Sequence, residues 1–220
     1  MNAVSPGQAR PSTLYRGVIV PAGAVTGDML VGDIRPGEEP LIDAEGRKVV
    51  ADGNEYGVYM SDNGHMAEVA YATPRHTTQI TDSPTFRWRG ANQERLGLPK
   101  AGVLHQVDTT GLDIRKPYIQ PQLRGVYNNG FQGDEWIVDT VPAANHHPIK
   151  LTLGPDMLHP AQGFDVVTDP AAALEALRAE VAYRSGRFAV AKLVLEGMSP
   201  AQRNNDFYVK RAFANLPTEP

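Results

Sequence analysis

Gly125–Val141 reads GVYNNGFQGDEWIVDTV and carries the clearest combination of structural and chemical signals in the chain. Asn129-Gly130 is a strong turn signal, and the residues that follow it lead into an acidic pair. Trp136–Val138 then predicts a short strand. Because a sheet holds a side chain at the start of a strand rigidly, we expect chemistry at this entrance, and at Glu135 above all.

The composition indicates an ordinary globular protein. The chain has 220 residues, of which 41% are hydrophobic and 21% are charged, and its net charge is -4, which does not suggest a nucleic-acid-binding protein. The absence of cysteine excludes disulfides, thiolate catalysis and cysteine zinc sites. The sequence shows no pattern of a transmembrane segment or a signal peptide. We therefore expect a soluble protein that acts in a cytoplasm. If it is a toxin, it would act there after delivery to a target cell.

Short segments rich in β-branched and aromatic residues alternate with Gly and Pro turns, which predicts a domain built on strands. His65–Ala72 consists of good helix formers behind Asp62 or Asn63 as a cap. Strand, turn and helix thus follow one another closely, an arrangement that presents their ends to one cleft. Besides Trp136–Val138, the predicted strands are Leu14–Val20, Met29–Val31, Lys48–Ala51, Tyr56–Ser61, Thr77–Thr81, Gly102–Asp108 and Ile149–Leu153.

The last quarter of the chain changes to helical periodicity. Asp169-Pro170 predicts the start of a helix that ends at Ser185-Gly186, and a second helix covers Phe188–Glu196. Ser199 has the capping-box pattern of a third helix. The predicted organisation is therefore a flexible tail over residues 1–11, an α+β domain over 12–165 and a helical C-terminal appendix over 166–220.

Arg16 is the only charge in the first predicted strand. A guanidinium in an apolar strand is costly unless it meets an anion, which here is either a carboxylate on a neighbouring strand or a phosphate.

The order of three motifs resembles the ADP-ribosyltransferase superfamily. Leu14-Tyr15-Arg16-Gly17 stands on the first strand, Gly57–Asn63 forms a strand-turn-helix junction, and Glu135 begins a late strand. The resemblance covers roughly residues 14–154. It implies an α+β domain of two small, packed, mainly antiparallel sheets, with NAD as the substrate. The helix that follows the first strand in that family is not visible in Pro21–Asn54.

The same resemblance assigns roles to residues around NAD. It implies that Arg16 binds the phosphate or ribose, that an aromatic residue lies near the nicotinamide, and that a hydroxyl orients the ribose or the catalytic glutamate. For the tyrosines, core packing is the alternative interpretation. The implied NAD-binding residues are Arg16, Gly17, Tyr59, Ser61 and Tyr71.

Glu135 is the implied catalytic residue. Breaking the bond between nicotinamide and ribose develops positive charge on the sugar, so a nearby carboxylate stabilises the transition state more than the ground state. Asp134 is the competing candidate, and the two would face opposite sides of a strand.

Residues in the preceding loop are expected to recognise the acceptor. Tyr127 and Phe131 are aromatic candidates, and Gln132 is a polar one. Members of the ADP-ribosyltransferase superfamily that modify arginine carry an acid two residues before the catalytic glutamate, where this chain has Gly133. The acceptor, a protein or a nucleic acid, is therefore left open.

These motifs together predict an NAD-dependent mono-ADP-ribosyltransferase acting as a toxin or effector. The alternatives are an NAD glycohydrolase or an RNA 2'-phosphotransferase-like enzyme, and a non-catalytic binding domain in which Arg16 and Glu135 form a buried ion pair. No metal is predicted, because His146, His147 and His159 are best interpreted as surface-loop residues and His105 as structural.

Overall fold

A computed structural model describes residues 10–37, 39–50, 53–74, 99–118, 135–156, 159–203 and 205–216 of the protein. Over these residues the chain is α+β, with a strand-rich part followed by a helical C-terminal segment, as the sequence predicts. No helix among them combines the length and the apolar character that crossing a bilayer requires.

The described strands form one sheet of six strands and one of two. In chain order they are β1 (Thr13–Pro21), β2 (Leu41–Ile42), β3 (Lys48–Val49), β4 (Val58–Ser61), β5 (Lys100–Asp108), β6 (Glu135–Val138), β7 (His146–Leu153) and β8 (Gln162–Phe164). The larger sheet has the order β6-β4-β1-β5-β7-β8 and is antiparallel. The predicted strands around Leu14, Tyr59, His105 and Trp136 are all found. The strand predicted at Thr77–Thr81 lies outside the described residues.

The division into six and two strands differs from the expected pair of small packed sheets. The hairpin of β2 and β3 is only two residues long on each side, and both residues of β2 are exposed. Such a ribbon has no continuous apolar face with which to pack as a second layer. Its turn is held instead by Asp43, whose carboxylate accepts hydrogen bonds from the backbone and side chain of Arg47.

The predicted strand Met29–Val31 is wrong, because these residues belong to helix α1 (Gly27–Val31). Thr26 explains the difference, since its side chain accepts a hydrogen bond from Met29 N at 3.2 Å and caps the helix. The helix predicted at His65–Ala72 is present as α2 (Gly64–Ala67), capped by Asn63, and continues as a π-helix over Glu68–Ala72.

The C-terminal helices differ from the prediction in where they break. Helix α3 (Pro170–Glu196) begins at the predicted Asp169 cap and runs without interruption through Ser185-Gly186. The Ser185 hydroxyl donates to the Val181 carbonyl at 2.7 Å, so its polar group is satisfied inside the helix. The third predicted helix is divided into α4 (Pro200–Arg203) and α5 (Asp206–Ala214).

The chain groups into two compact units. The first comprises Met1–Val18, Thr26–Ala72 and Val103–Ile149, and the second comprises Ile19–Val25, Thr73–Gly102 and Lys150–Pro220. The main buried cluster of the first unit consists of Leu14, Val58, Met60, Val107, Ile114, Trp136, Val138 and Val141. In the second unit, Ala191, Leu195, Val209 and Leu216 pack together. The boundary predicted at residues 165 and 166 stays a prediction.

Candidate functional site

Glu135 is the first residue of β6 and lies directly opposite Ser61 in the antiparallel pair of β4 and β6. Ser61 is in turn opposite Tyr15 of β1. Residues that face each other across antiparallel strands project from the same side of the sheet. Tyr15, Ser61 and Glu135 therefore share one face of the first unit.

The π-helix brings Tyr71 to this same group. At Gly17, an added Cβ atom would lie 2.5 Å from the Ala67 carbonyl oxygen and 2.7 Å from the Tyr71 Cβ. Only glycine permits this approach, so Gly17 allows the helix to lie directly against β1. π-Helical turns are rare and occur often at functional sites. Tyr71 is 44% exposed, so it also reaches solvent, which core packing alone would not produce.

The Glu135 carboxyl is half-buried, and this burial raises its pKa above the ordinary value. Two neighbours act in the opposite direction: the positive charge of Lys116 and a hydrogen bond from the Tyr71 side chain. Lys116 is well placed to act, since its Nζ donates to the Glu135 carbonyl oxygen at 3.1 Å. The result is a partly desolvated acid whose ionised form is supported by one cation and one hydroxyl.

Arg16 is half-buried in β1, and its Nη1 donates to the Tyr59 carbonyl at 2.8 Å. Desolvation lowers the pKa of Arg16, while the nearby Tyr71 raises it. Among the described residues, this is the only hydrogen bond of a side chain that has five N–H donors, and no ion pair joins it to Glu135. The buried ion pair of the non-catalytic alternative is therefore not present in the described part of the chain.

Tyr59 and Ser61 differ in how their hydroxyl groups are used. The Tyr59 hydroxyl donates to the Glu55 carbonyl at 2.8 Å, which matches the core-packing interpretation of this tyrosine. Ser61 is buried, and its Oγ accepts a hydrogen bond from Asn63 N at 3.0 Å. That bond uses the oxygen as an acceptor, so the Ser61 hydroxyl remains able to donate.

Four predicted residues lie outside the part of the chain that the structure describes. They are the acceptor-recognition candidates Tyr127, Phe131 and Gln132, and the competing acid Asp134.

Lys116 is a site residue that sequence reasoning missed. Besides its contact with Glu135, its ammonium lies 4.0 Å from the centre of the Trp136 ring, which is fully buried. The Trp136 ring is also fixed by a hydrogen bond that its Nε1 donates to Asp62 Oδ2 at 2.9 Å. A single lysine in a connecting segment carries no pattern, so only the folded register of Arg115 against Ile137 reveals it.

The interpretation of His146 as a surface-loop residue is wrong. His146 is buried at the start of β7 and contacts His105, which is also buried. The reason is the extent of β7, which begins three residues before the predicted strand. His147 is exposed, and among the described residues no group of three potential metal ligands comes together.

A groove of about 500 Å³ also lies in the first unit, and it contains none of the predicted NAD-binding residues. It is lined by Ser12, Thr13, Gln106, Asp108, Ala144, Asn145, His146 and His147.

No family model, curated protein or solved structure matches this chain. The functional assignment therefore depends on the chemistry of the residues that surround Glu135.

Proposed function

We propose that the protein is an NAD-dependent mono-ADP-ribosyltransferase that modifies a macromolecular acceptor, as a toxin or effector. The observation that carries the proposal is the grouping of Glu135, Tyr71 and Ser61, with Tyr71 also close enough to Arg16 to influence its pKa. Three sequence motifs far apart in the chain supply these residues.

In this proposal Arg16 binds the NAD pyrophosphate. A guanidinium with most of its donors unused by the described residues suits phosphate oxygens, which accept charge-assisted hydrogen bonds from it. Binding an anion would also compensate the desolvation that lowers the Arg16 pKa.

Glu135 would stabilise the positive charge that develops on the ribose as nicotinamide leaves. Nicotinamide departs with the electron pair of the broken bond, and the acceptor forms a new bond to the same sugar carbon while losing a proton. Partial burial strengthens this electrostatic effect, because a carboxylate in a less polar environment interacts more strongly with a nearby cation. The Ser61 hydroxyl, directly opposite, would orient the carboxylate or the ribose.

Helix α1 adds support for the family assignment. The helix that follows the first strand in that family is not visible in the sequence, and Gly27–Val31 supplies a short one at this place. The finer fold assignment, an ADP-ribosyltransferase-like domain, belongs to this same proposal.

Nicotinamide release from NAD by the purified protein tests the proposal. The comparison includes the wild type, Glu135→Gln and Asp139→Asn, each with and without cell lysate. Asp139 is a matched control because it is an exposed acid just beyond the other end of the same strand.

We expect Glu135→Gln to reduce release by about 10²–10³-fold, the usual effect of losing one charge-stabilising group, while Asp139→Asn releases nicotinamide at the wild-type rate. Stimulation by lysate indicates a macromolecular acceptor, and equal release without lysate indicates the NAD glycohydrolase alternative. Absence of release together with an unchanged melting temperature in NAD would overturn the proposal.

A further inference from the structure

Ser61 and Glu135 face each other at the end of the pair of β4 and β6. On the outer side of β6, both backbone groups of Ile137 are bonded to Arg115, at 2.8 and 3.0 Å. Because hydrogen-bonded and non-hydrogen-bonded pairs alternate along antiparallel strands, neither Tyr59–Ile137 nor Ser61–Glu135 is a hydrogen-bonded pair. The Cα atoms of such a pair are only about 4.5 Å apart, so the Ser61 and Glu135 side chains are close neighbours.

This close pair lies beyond the backbone ladder of the two strands as they are described. The neighbouring pair, Met60 and Trp136, is the hydrogen-bonded one, and the described strands end one residue later, at Ser61 and Glu135. The end of a strand pair opens more easily than its middle. A contact beyond the ladder is therefore needed to keep the two side chains together.

The Trp136 side chain supplies such a contact. Its Nε1 donates to Asp62 Oδ2 at 2.9 Å. Asp62 is two residues beyond Met60, the partner of Trp136, and diagonal neighbours of this kind, about 7–8 Å apart, are within reach of an aromatic side chain. The indole is fully buried, so its N–H group requires a partner. Because Asp62 directly follows Ser61, this bond ties the turn after β4 to β6.

The face of the same indole ring holds Lys116. The ammonium lies 4.0 Å from the ring centre and donates to the Glu135 carbonyl oxygen at 3.1 Å. Lys116 follows Arg115, whose pairing with Ile137 sets this segment along the edge of the sheet. One side chain thus contacts both segments that bring polar groups to Glu135.

We propose that Trp136 is a positioning residue that holds Ser61 opposite Glu135. Its N–H group does this through Asp62, while its ring face keeps Lys116 beside the same glutamate. Successive residues of a strand point to opposite faces, so Trp136 acts from the core side of β6 and has no direct contact with the reacting atoms. The effect on NAD rests on the proposed function, whereas the effect on the Ser61–Glu135 pair does not.

Three substitutions break this bond in different ways. Asp62→Ala removes the acceptor and the charge, Asp62→Asn removes only the charge, and Trp136→Phe removes the donor but keeps a ring face. We expect Asp62→Ala and Trp136→Phe each to lower kcat for nicotinamide release about tenfold, with the KM for NAD nearly unchanged, because the groups around the ribose lose alignment. Asp62→Asn should recover most of the loss. The double variant should lose about tenfold and not about a hundredfold, because both changes break one bond.

Val138→Ala is the matched control for stability, because Val138 is buried in the same cluster at the other end of β6. Thermal unfolding is measured for all of these variants. The inference is overturned if Val138→Ala lowers kcat as much at a similar loss of melting temperature. It is equally overturned if Asp62→Ala turns over NAD as the wild type does, or if Asp62→Asn loses as much as Asp62→Ala.

Proton NMR keeps this inference separate from the proposed function. The α-hydrogens of a non-hydrogen-bonded pair are close enough for a strong nuclear Overhauser effect. We expect this signal between Ser61 and Glu135 in the wild type, in Asp62→Asn and in Val138→Ala, and its loss in Asp62→Ala. This result stands even if the wild type does not cleave NAD, which would overturn the proposed function alone. An unchanged signal in Asp62→Ala contradicts the inference.

Discussion

Arg16 in the first unit and Arg184 in the second are both enclosed by protein, but their donors are used very differently. Arg184, on α3, is 3% exposed. Its guanidinium donates to Glu180 at 2.7 Å, to the Gly154 carbonyl at 3.0 Å and to the Pro160 carbonyl at 3.1 Å, with Asp156 and Gln162 at 3.5 Å. Arg16 has one hydrogen bond, to the Tyr59 carbonyl, among the described residues.

The difference separates an arginine whose donors the protein satisfies from one whose donors are mostly unused by the described residues, as the proposed anion-binding role of Arg16 requires. Burying a guanidinium costs free energy that its hydrogen bonds and counter-charges must offset. Around Arg184 the protein supplies two carboxylates and two carbonyls, so the group is satisfied in the absence of any ligand. At Arg16 the described residues supply one carbonyl, and an anionic ligand would supply the rest.

Removing Arg184 should have the largest effect on stability. Arg184→Ala removes the guanidinium that pairs with Glu180 and with the buried Asp156, which keeps its contact with His159. We expect the free energy of unfolding to fall by about 3–5 kcal/mol. Urea denaturation measures this, and Arg178→Ala, an exposed arginine on the same helix, is the control. A loss as small as that of the control would mean that the anchoring network contributes little.

Arg16→Met should weaken ligand binding and not lower stability, the opposite of Arg184→Ala. Losing charged hydrogen bonds to a phosphate is expected to weaken NAD binding about 10–100-fold, while the melting temperature stays the same or rises because a desolvated charge is removed. Arg16→Lys should not restore binding, since an ammonium does not reproduce the planar fork of donors. A stability loss like that of Arg184→Ala would place Arg16 among the structural residues.

The third prediction concerns pH. Glu135 must be ionised to act, and burial raises its pKa, so activity should fall on the acid side at a higher pH than for an ordinary glutamate. Lys116 and Tyr71 lower that pKa, so Lys116→Met and Tyr71→Phe should both move the acid limb of the profile to still higher pH, Lys116→Met by more. A limb that does not move in either variant would exclude Glu135 as its origin.

The raised pKa also affects stability. A group whose pKa is higher in the folded than in the unfolded state loses its stabilising contribution as pH rises through the folded value. Below about pH 4, Glu135→Gln should therefore have the same melting temperature as the wild type. Near neutral pH its melting temperature should be higher than that of the wild type.

The smallest expected effect contrasts two glycines. At Gly186, inside α3, an added Cβ meets no atom within 4 Å, so Gly186→Ala should stabilise by about 0.5–1 kcal/mol through helix propensity. Gly17→Ala, beside Tyr71, should destabilise instead, because its Cβ would overlap backbone atoms. Thermal unfolding of the two variants checks the sign, and nicotinamide release should change only in Gly17→Ala.

The sequence predicts the elements of the site better than their connections. Strands β1, β4, β5 and β6 could be recognised because β-branched and aromatic residues are concentrated in short runs bounded by turns. The order of the motifs predicts Arg16, Ser61, Tyr71 and Glu135 as site residues. The structure brings Ser61 and Tyr71 to Glu135 and places Tyr71 near Arg16.

The missed features depend on contacts between distant segments or on local capping. Lys116 reaches Glu135 only through the register of Arg115 against Ile137, and His146 is buried through its contact with His105. The sequence predicts a strand where helix α1 forms, because Met, Leu and Val fit either state and the Thr26 cap decides between them. The helix end predicted at Ser185-Gly186 is absent, because a long helix tolerates a single glycine such as Gly186.

The π-helix at Glu68–Ala72 makes the site sensitive to chain length. A π-turn contains an extra residue relative to an α-turn, so deleting Val69 would allow the segment to close as an ordinary α-helix. Each residue advances an α-helix by about 100°, so the deletion would rotate the residues before it relative to Tyr71 by that amount. We therefore expect deletion of Val69 to be as damaging as losing the tyrosine itself and to reproduce the pH profile of Tyr71→Phe.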